Sequence, residues 1–153
     1  MSRRGALAAA AGLLLARPAG AGAQDGDPAG TLRALLAREE ASAQAYRSAG
    51  MARLAGQEAE HARALRPQLE ALGQPAPPAS PRTLAGAAQR LATAAGDDRD
   101  AAAIALEREL VKAYRAALGS LDDPALRRTA ATIMASHAQH LVVLHRDPLR
   151  ALG

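Results

Sequence analysis

The sequence predicts an all-α protein, a bundle of four long helices arranged as two antiparallel hairpins. Three observations point there. The chain is rich in Leu and Ala, both strong helix formers, and has no β-branched runs. Four stretches repeat apolar residues at helical spacing, with glycine or proline clusters between them. Each half then carries polar residues at matching places inside an apolar stripe, as if one hairpin were used twice. At 153 residues there is material for one domain and one core. With no Phe, no Trp and only two Tyr, that core is made of Leu and Ala, which lets the helices approach closely.

Residues 1 to 23 read as an export signal. Ser2-Arg3-Arg4-Gly5-Ala6-Leu7-Ala8 resembles the twin-arginine consensus, with Ala6 where a bulky residue is usual. Residues 5 to 16 form an apolar run too short to span a bilayer comfortably. Ala21-Gly22-Ala23 offers an A-x-A cleavage site that leaves Gln24 as the new N-terminus. An uncleaved amphipathic or anchoring helix is the alternative. On the first reading residues 24 to 153 are a domain that works outside the cytoplasm, in the periplasm, the cell envelope or the medium, and only the signal touches a membrane.

The first helix is expected from residue 28 or 29 to 48, capped by Asp27 ahead of Pro28. Its stripe is Leu32, Leu35, Leu36, Ala43 and Tyr46, with Glu39 inside it and Glu40 to the side with Arg33 and Arg47. Gly50 marks a short connection, so the second helix returns antiparallel. That helix carries Leu54, Leu65 and Leu72 in one stripe with Glu58 and His61, ends at Leu72-Gly73, and should bend or divide at Pro67. Residues 73 to 81 contain four prolines and begin a long crossover. A short helix is expected over 83 to 95, then a polar turn over 96 to 100. The third long helix runs to about 118 with the stripe Ala103, Ile104, Leu110, Val111, Tyr114 and Leu118, and Glu107 inside it. The fourth starts at Asp123-Pro124 and stops at Asp147-Pro148; its stripe is Leu126, Ala130, Ile133, Leu141 and Leu144, with His137 and His140 inside it.

The isoelectric point near 10.6 misleads about partners. Of 19 Lys and Arg, three (Arg3, Arg4, Arg17) lie in the acid-free signal, which leaves 16 against 15 acidic residues. Without a basic run or an aromatic platform, the chain is not a nucleic-acid binder. With no cysteine, disulfides, thiolate metal sites and iron–sulfur clusters are excluded.

The chemistry lies in the polar residues of the stripes. Glu58 and His61 are three residues apart, about 300° of helix rotation, so both point into the buried sector. A carboxylate there is costly unless something pairs with it, and a metal ion suits a carboxylate and an imidazole together. The repeat extends the set. Glu39 precedes Ala45-Tyr46-Arg47 as Glu107 precedes Ala113-Tyr114-Arg115, and Glu58-x-x-His61-x-x-x-Leu65 matches His137-x-x-His140-x-x-x-Leu144. Counted from the hairpin turns, all six fall within a turn or two of one depth in the bundle, so they can converge.

This arrangement resembles the ferritin-like superfamily, particularly its rubrerythrin-type di-iron carboxylate branch. There, two helices each give one Glu, two each give E-x-x-H, and a Tyr often follows the lone Glu by two turns. The resemblance covers the whole mature chain. It implies a ferritin-like four-helix bundle with a short extra helix in the crossover, and metal ligands Glu39, Glu58, His61, Glu107, His137 and His140. The departure is His137, where the family has Glu. Three carboxylates and three imidazoles replace four and two, and a neutral imidazole does not bridge two metals. Two iron ions are the expected cofactor; the mixed N/O donors also suit Mn or Zn.

Tyr46 and Tyr114 are the candidate catalytic residues. They either orient carboxylates by hydrogen bonding, relay single electrons, or fill a thin core. His145 is expected to be solvated near a helix end, and Glu60, Glu70 and Glu109 to lie on outward faces. The function implied by the resemblance is that of an exported di-metal oxidoreductase, a ferroxidase or peroxide scavenger, fed by an external electron donor. The alternatives are a metal-binding or structural envelope protein without turnover, and a bundle that has lost its metal. The Ala-rich faces would also permit a homodimer.

Overall fold

The computed structural model describes residues 27–78 and 82–146. The expected signal over 1 to 23 and the stop at Asp147-Pro148 lie outside the described residues. Within them are five helices and no strand: α1 (Pro28–Ser48), α2 (Ala52–Ala71), α3 (Gly86–Thr93), α4 (Asp98–Leu118) and α5 (Pro124–Arg146). No described helix is long and apolar enough to cross a membrane. α1 packs on α2 and α4 on α5 as two hairpins, and the chain between them crosses over and lays α3 against both α1 and α4. This is the expected bundle connectivity.

Local chemistry sets the helix ends. Asp27 accepts from Gly30 N (2.8 Å), and Asp123 accepts from Ala125 N (2.7 Å) and Leu126 N (2.9 Å), satisfying amides that have no partner inside the helix. α2 stops because Gly73 takes φ +69°, letting Gln74 N reach back to Leu69 O (3.1 Å). The α1–α2 turn needs the same freedom at Gly50, φ +74°.

Several expectations are corrected. Pro67 does not divide α2, which is continuous. It lies on the exposed face beside Arg63 and Ala64, where the carbonyl it leaves unpaired faces outward. Leu72 falls beyond the helix end and is 37 % exposed. The short helix is confined to α3, and α4 begins inside the supposed polar turn, at Asp98. Ile104, Val111, Leu118 and Leu141 are only half-buried, because the inward stripes step by three and four through Ala103, Leu106, Glu107, Leu110, Tyr114 and Ala117 on α4 and through Leu126, Ala130, Ile133, His137, His140 and Leu144 on α5.

Glu40 lies to the side of α1, on the face of Arg33 and Arg47, and its ion-pair partners come from elsewhere. It pairs with Arg66 of α2 and, through Oε2, with Arg82 Nε (2.6 Å), while Arg66 also donates to Pro77 O (2.6 Å) and Arg82 N to Gln44 Oε1 (2.8 Å). One carboxylate thus straps the crossover to the first hairpin. Glu40→Ala should cost about 1–2 kcal/mol, read as a lower urea midpoint.

The core has two apolar layers. One gathers Tyr46, Met51, Leu54, Leu91, Leu106, Leu110 and Leu144; the other gathers Leu32, Leu36, Leu65, Leu69, Tyr114, Leu121 and Ile133. The polar residues of the stripes fall between these layers.

Candidate metal centre

Each long helix delivers its polar side chain from the middle of its buried stripe. Glu39 follows Leu36 on α1, Glu58 lies between Ala55 and Ala62 on α2, Glu107 follows Leu106 on α4, and His137 and His140 lie between Ile133 and Leu144 on α5. All five are buried; the His61 side chain keeps 13 % exposure. The structure brings all six sequence-derived candidates into one cluster.

His137 is at its middle. Its Nδ1 lies 2.9 Å from Glu107 Oε2 and 3.7 Å from Glu58 Oε1, and its Nε2 lies 3.1 Å from Glu39 Oε1. His61 and His140 lie beside it, with ring centroids 4.9 and 5.7 Å away and 6.1 Å from each other. His61 Nδ1 is 3.4 Å from both Glu39 Oε2 and Glu58 Oε2. His140 Nδ1 is 3.2 Å from Glu107 Oε1 and 3.3 Å from Glu58 Oε1.

Two groups of four donors result, Glu39–Glu58–His61–His137 and Glu58–Glu107–His137–His140, each with ligand atoms within 4.8 Å of one another. They share Glu58 and His137. Glu39 Oε2 and Glu58 Oε1 are buried without a hydrogen-bond partner, the imidazole nitrogens near them being out of hydrogen-bonding geometry. Orphaned carboxylate oxygens beside imidazoles are a donor set that fits a divalent cation.

The tyrosines cross between hairpins. Tyr46 donates to Glu107 Oε1 and Tyr114 to Glu39 Oε1, both at 2.6 Å. Side chains lean toward the N-terminus of their own helix, and α1 and α4 run in opposite directions, so both phenols lean toward the middle. Each therefore orients the lone Glu of the opposite helix. Tyr114→Phe and Tyr46→Phe should each cost about 1–2 kcal/mol in denaturant unfolding, since each leaves a buried carboxylate short of one donor.

The electrostatics follow from crowding. Burial alone would raise the Glu39 and Glu107 carboxyls, yet the histidines facing them hold both below the usual range. Glu58 goes the other way, raised to about 7 by burial and by Glu39. Burial would lower the imidazoles, but Glu39 and Glu58 lift His61 to about 9, and Glu107 and Glu39 lift His137 to about 10. His140 is raised by Glu107 and Glu58. Both phenols are raised by burial and by the carboxylates they face.

Against known protein families, the model described as a ferritin-like domain matches residues 19–147. The chain belongs to the ferritin-like family. No curated protein and no solved structure matches it. As a ferritin-like domain it places its possible metal-holding groups at mid-bundle, on all four long helices.

One neighbour escaped the sequence reading. Ser136 Oγ lies 3.4 Å from His140 Nε2, so the outer nitrogen of that ring has a partner while the inner one faces the carboxylates. The i, i+4 spacing of Ser136 and His140 was the available signal. His145, Glu60, Glu70 and Glu109 lie exposed, as expected.

Proposed function

We propose that this ferritin-like protein is an exported, rubrerythrin-type di-metal oxidoreductase, acting as a ferroxidase or a peroxide scavenger. The observation that carries the reading is the pair of overlapping four-donor groups with orphaned carboxylate oxygens at their centre. Glu39 and His61 would hold one end, Glu107 and His140 the other, and Glu58 and His137 the middle. Iron or manganese bound there would give up one electron per ion to dioxygen or peroxide, which is reduced, with Fe(II) itself the substrate of a ferroxidase. Tyr46 and Tyr114 keep the outer carboxylates from turning, hold a proton at each hydroxyl and set an oxidisable ring beside the centre. The apolar layers above and below exclude water. The half-buried His61 marks the side most open to small reactants. This cysteine-free chain takes its electrons from an external donor. The twin-arginine-like segment supports export, with the mature domain in the periplasm, the envelope or the medium.

A second reading, a non-catalytic helical bundle of the envelope, is favoured by His137 itself. A protonated ring there donates to both Glu39 and Glu107 and offsets one of their two charges without any metal. Elemental analysis of the full chain, purified without chelator and again after anaerobic Fe(II) loading, separates the two. About two Fe or Mn per chain, with peroxide consumed only by the loaded protein, is the expected result. Retained zinc with no turnover, or no metal at all, would establish the second reading.

A further inference from the structure

Sharing means different things for the two shared residues. Glu58 offers two oxygens on one carbon, the ordinary way for one side chain to serve two cations. His137 offers two nitrogens on opposite sides of a ring, and the structure turns them apart. Nδ1 faces Glu107 Oε2 (2.9 Å) and Glu58 Oε1 (3.7 Å), toward the group that holds His140. Nε2 faces Glu39 Oε1 (3.1 Å), toward the group that holds His61. The ring is fully buried, with the His61 and His140 rings 4.9 and 5.7 Å away and 6.1 Å from each other, and Tyr114 packed 5.4 Å away, so it has no solvent-facing edge to spare.

We propose that His137 joins the two donor groups as a bridge, one ring nitrogen serving each, so that two metal ions held here are linked through imidazole as well as through Glu58. The inference rests on the proposed di-metal centre and adds the manner of its linkage. Neutral imidazole has one free lone pair. The ring, which the metal-free fold holds protonated on both nitrogens, gives one proton to water as the first metal–nitrogen bond forms and its remaining N–H proton to water as the second forms; nothing is oxidised or reduced. The linkage selects for cations that bind imidazole strongly, such as Cu, Zn, Ni and Fe, over those that prefer oxygen alone, such as Mg and Ca.

Copper(II) is a suitable probe because each ion carries one unpaired spin and favours imidazole. The full chain would be titrated with copper(II) and followed by electron paramagnetic resonance, with bound metal counted in parallel. The expected signal grows to one copper per chain and is then lost as the second binds, because the two spins couple. His137→Gln keeps a polar side chain between Glu39 and Glu107 but has no second ring nitrogen. With its fold checked by circular dichroism, it should hold one copper, or two whose residual coupling through the Glu58 carboxylate is too weak to remove the signal. Two additive signals in the wild type, saturation at one copper, or the same signal loss in His137→Gln would each overturn the bridge and leave metal binding intact. A wild-type chain that takes up no copper would overturn the bridge and the di-metal centre together.

Discussion

Glu58→Ala is expected to weaken both metal ions at once, whereas Glu39→Ala and Glu107→Ala should each spare one. The reason is membership: Glu58 belongs to both donor groups, Glu39 and Glu107 to one each. Losing a direct ligand should cost at least roughly a hundredfold in affinity, since even outer partners cost 10–100-fold. Elemental analysis at limiting metal would therefore find close to none in Glu58→Ala and about half the wild-type amount in the other two. Stability gives a second, independent reading. Metal at a hundred times Kd adds about 2.7 kcal/mol, and Glu58→Ala should lose that increment. It should change the metal-free melting temperature far less, because metal-free Glu58 is buried with Oε1 unpartnered and its carboxyl already pushed up to about 7. Equal metal content in the three variants would refute the shared position.

Metal-free protein should lose stability steeply between neutral pH and pH 10, and bound metal should restore it. His61 and His137 titrate near 6.5 when unfolded and at about 9 and about 10 when folded, raised by the carboxylates around them against the effect of burial. Raised imidazoles contribute stability that is fully present below pH 6.5 and lost as pH climbs through 9 and 10. Glu58, raised to about 7, acts in the same sense over a lower window, from 4.5 to 7. Glu39 and Glu107, held below the usual range, contribute above pH 4.5 and lose that contribution on acidification. The metal-free optimum is therefore mildly acidic. Metal must displace the protons on His61, His137 and Glu58, so its affinity should rise with pH. Thermal melts at pH 6 and pH 9, with and without Mn(II), should show a larger metal-dependent increment at pH 9. A flat metal-free profile above pH 7 would mean that the histidines are neutral in the fold.

The four long helices were legible because Leu and Ala repeat at helical spacing and Gly50, Gly73 and Pro124 punctuate them. The convergence of Glu39, Glu58, His61, Glu107, His137 and His140 was legible for a related reason: polar residues in core positions, at matched distances from the turns, have nowhere else to go. What the sequence could not carry depends on the third dimension. Repeat symmetry placed His137 in the slot of Glu58, yet nothing in the chain says that its ring would stand between three carboxylates. That Tyr46 and Tyr114 could orient carboxylates was legible, but which carboxylate was not: the antiparallel run of α1 and α4 pairs each with the glutamate of the opposite helix. The partners of Glu40, Arg66 and Arg82, could not be read because they are distant in sequence. Ile104 and Leu141 were misplaced by counting apolar residues where the stripe steps around them.

The tyrosine pairing has an optical consequence. The chain has no tryptophan, and its only two phenols are both bonded to carboxylates of the centre. Its whole near-ultraviolet absorbance and emission therefore originate within hydrogen-bonding distance of the place where a cation would sit. Without a label, the fluorescence of the intact chain is a direct gauge of occupancy, and each ion that draws a carboxylate away from a phenol should change the emitted light.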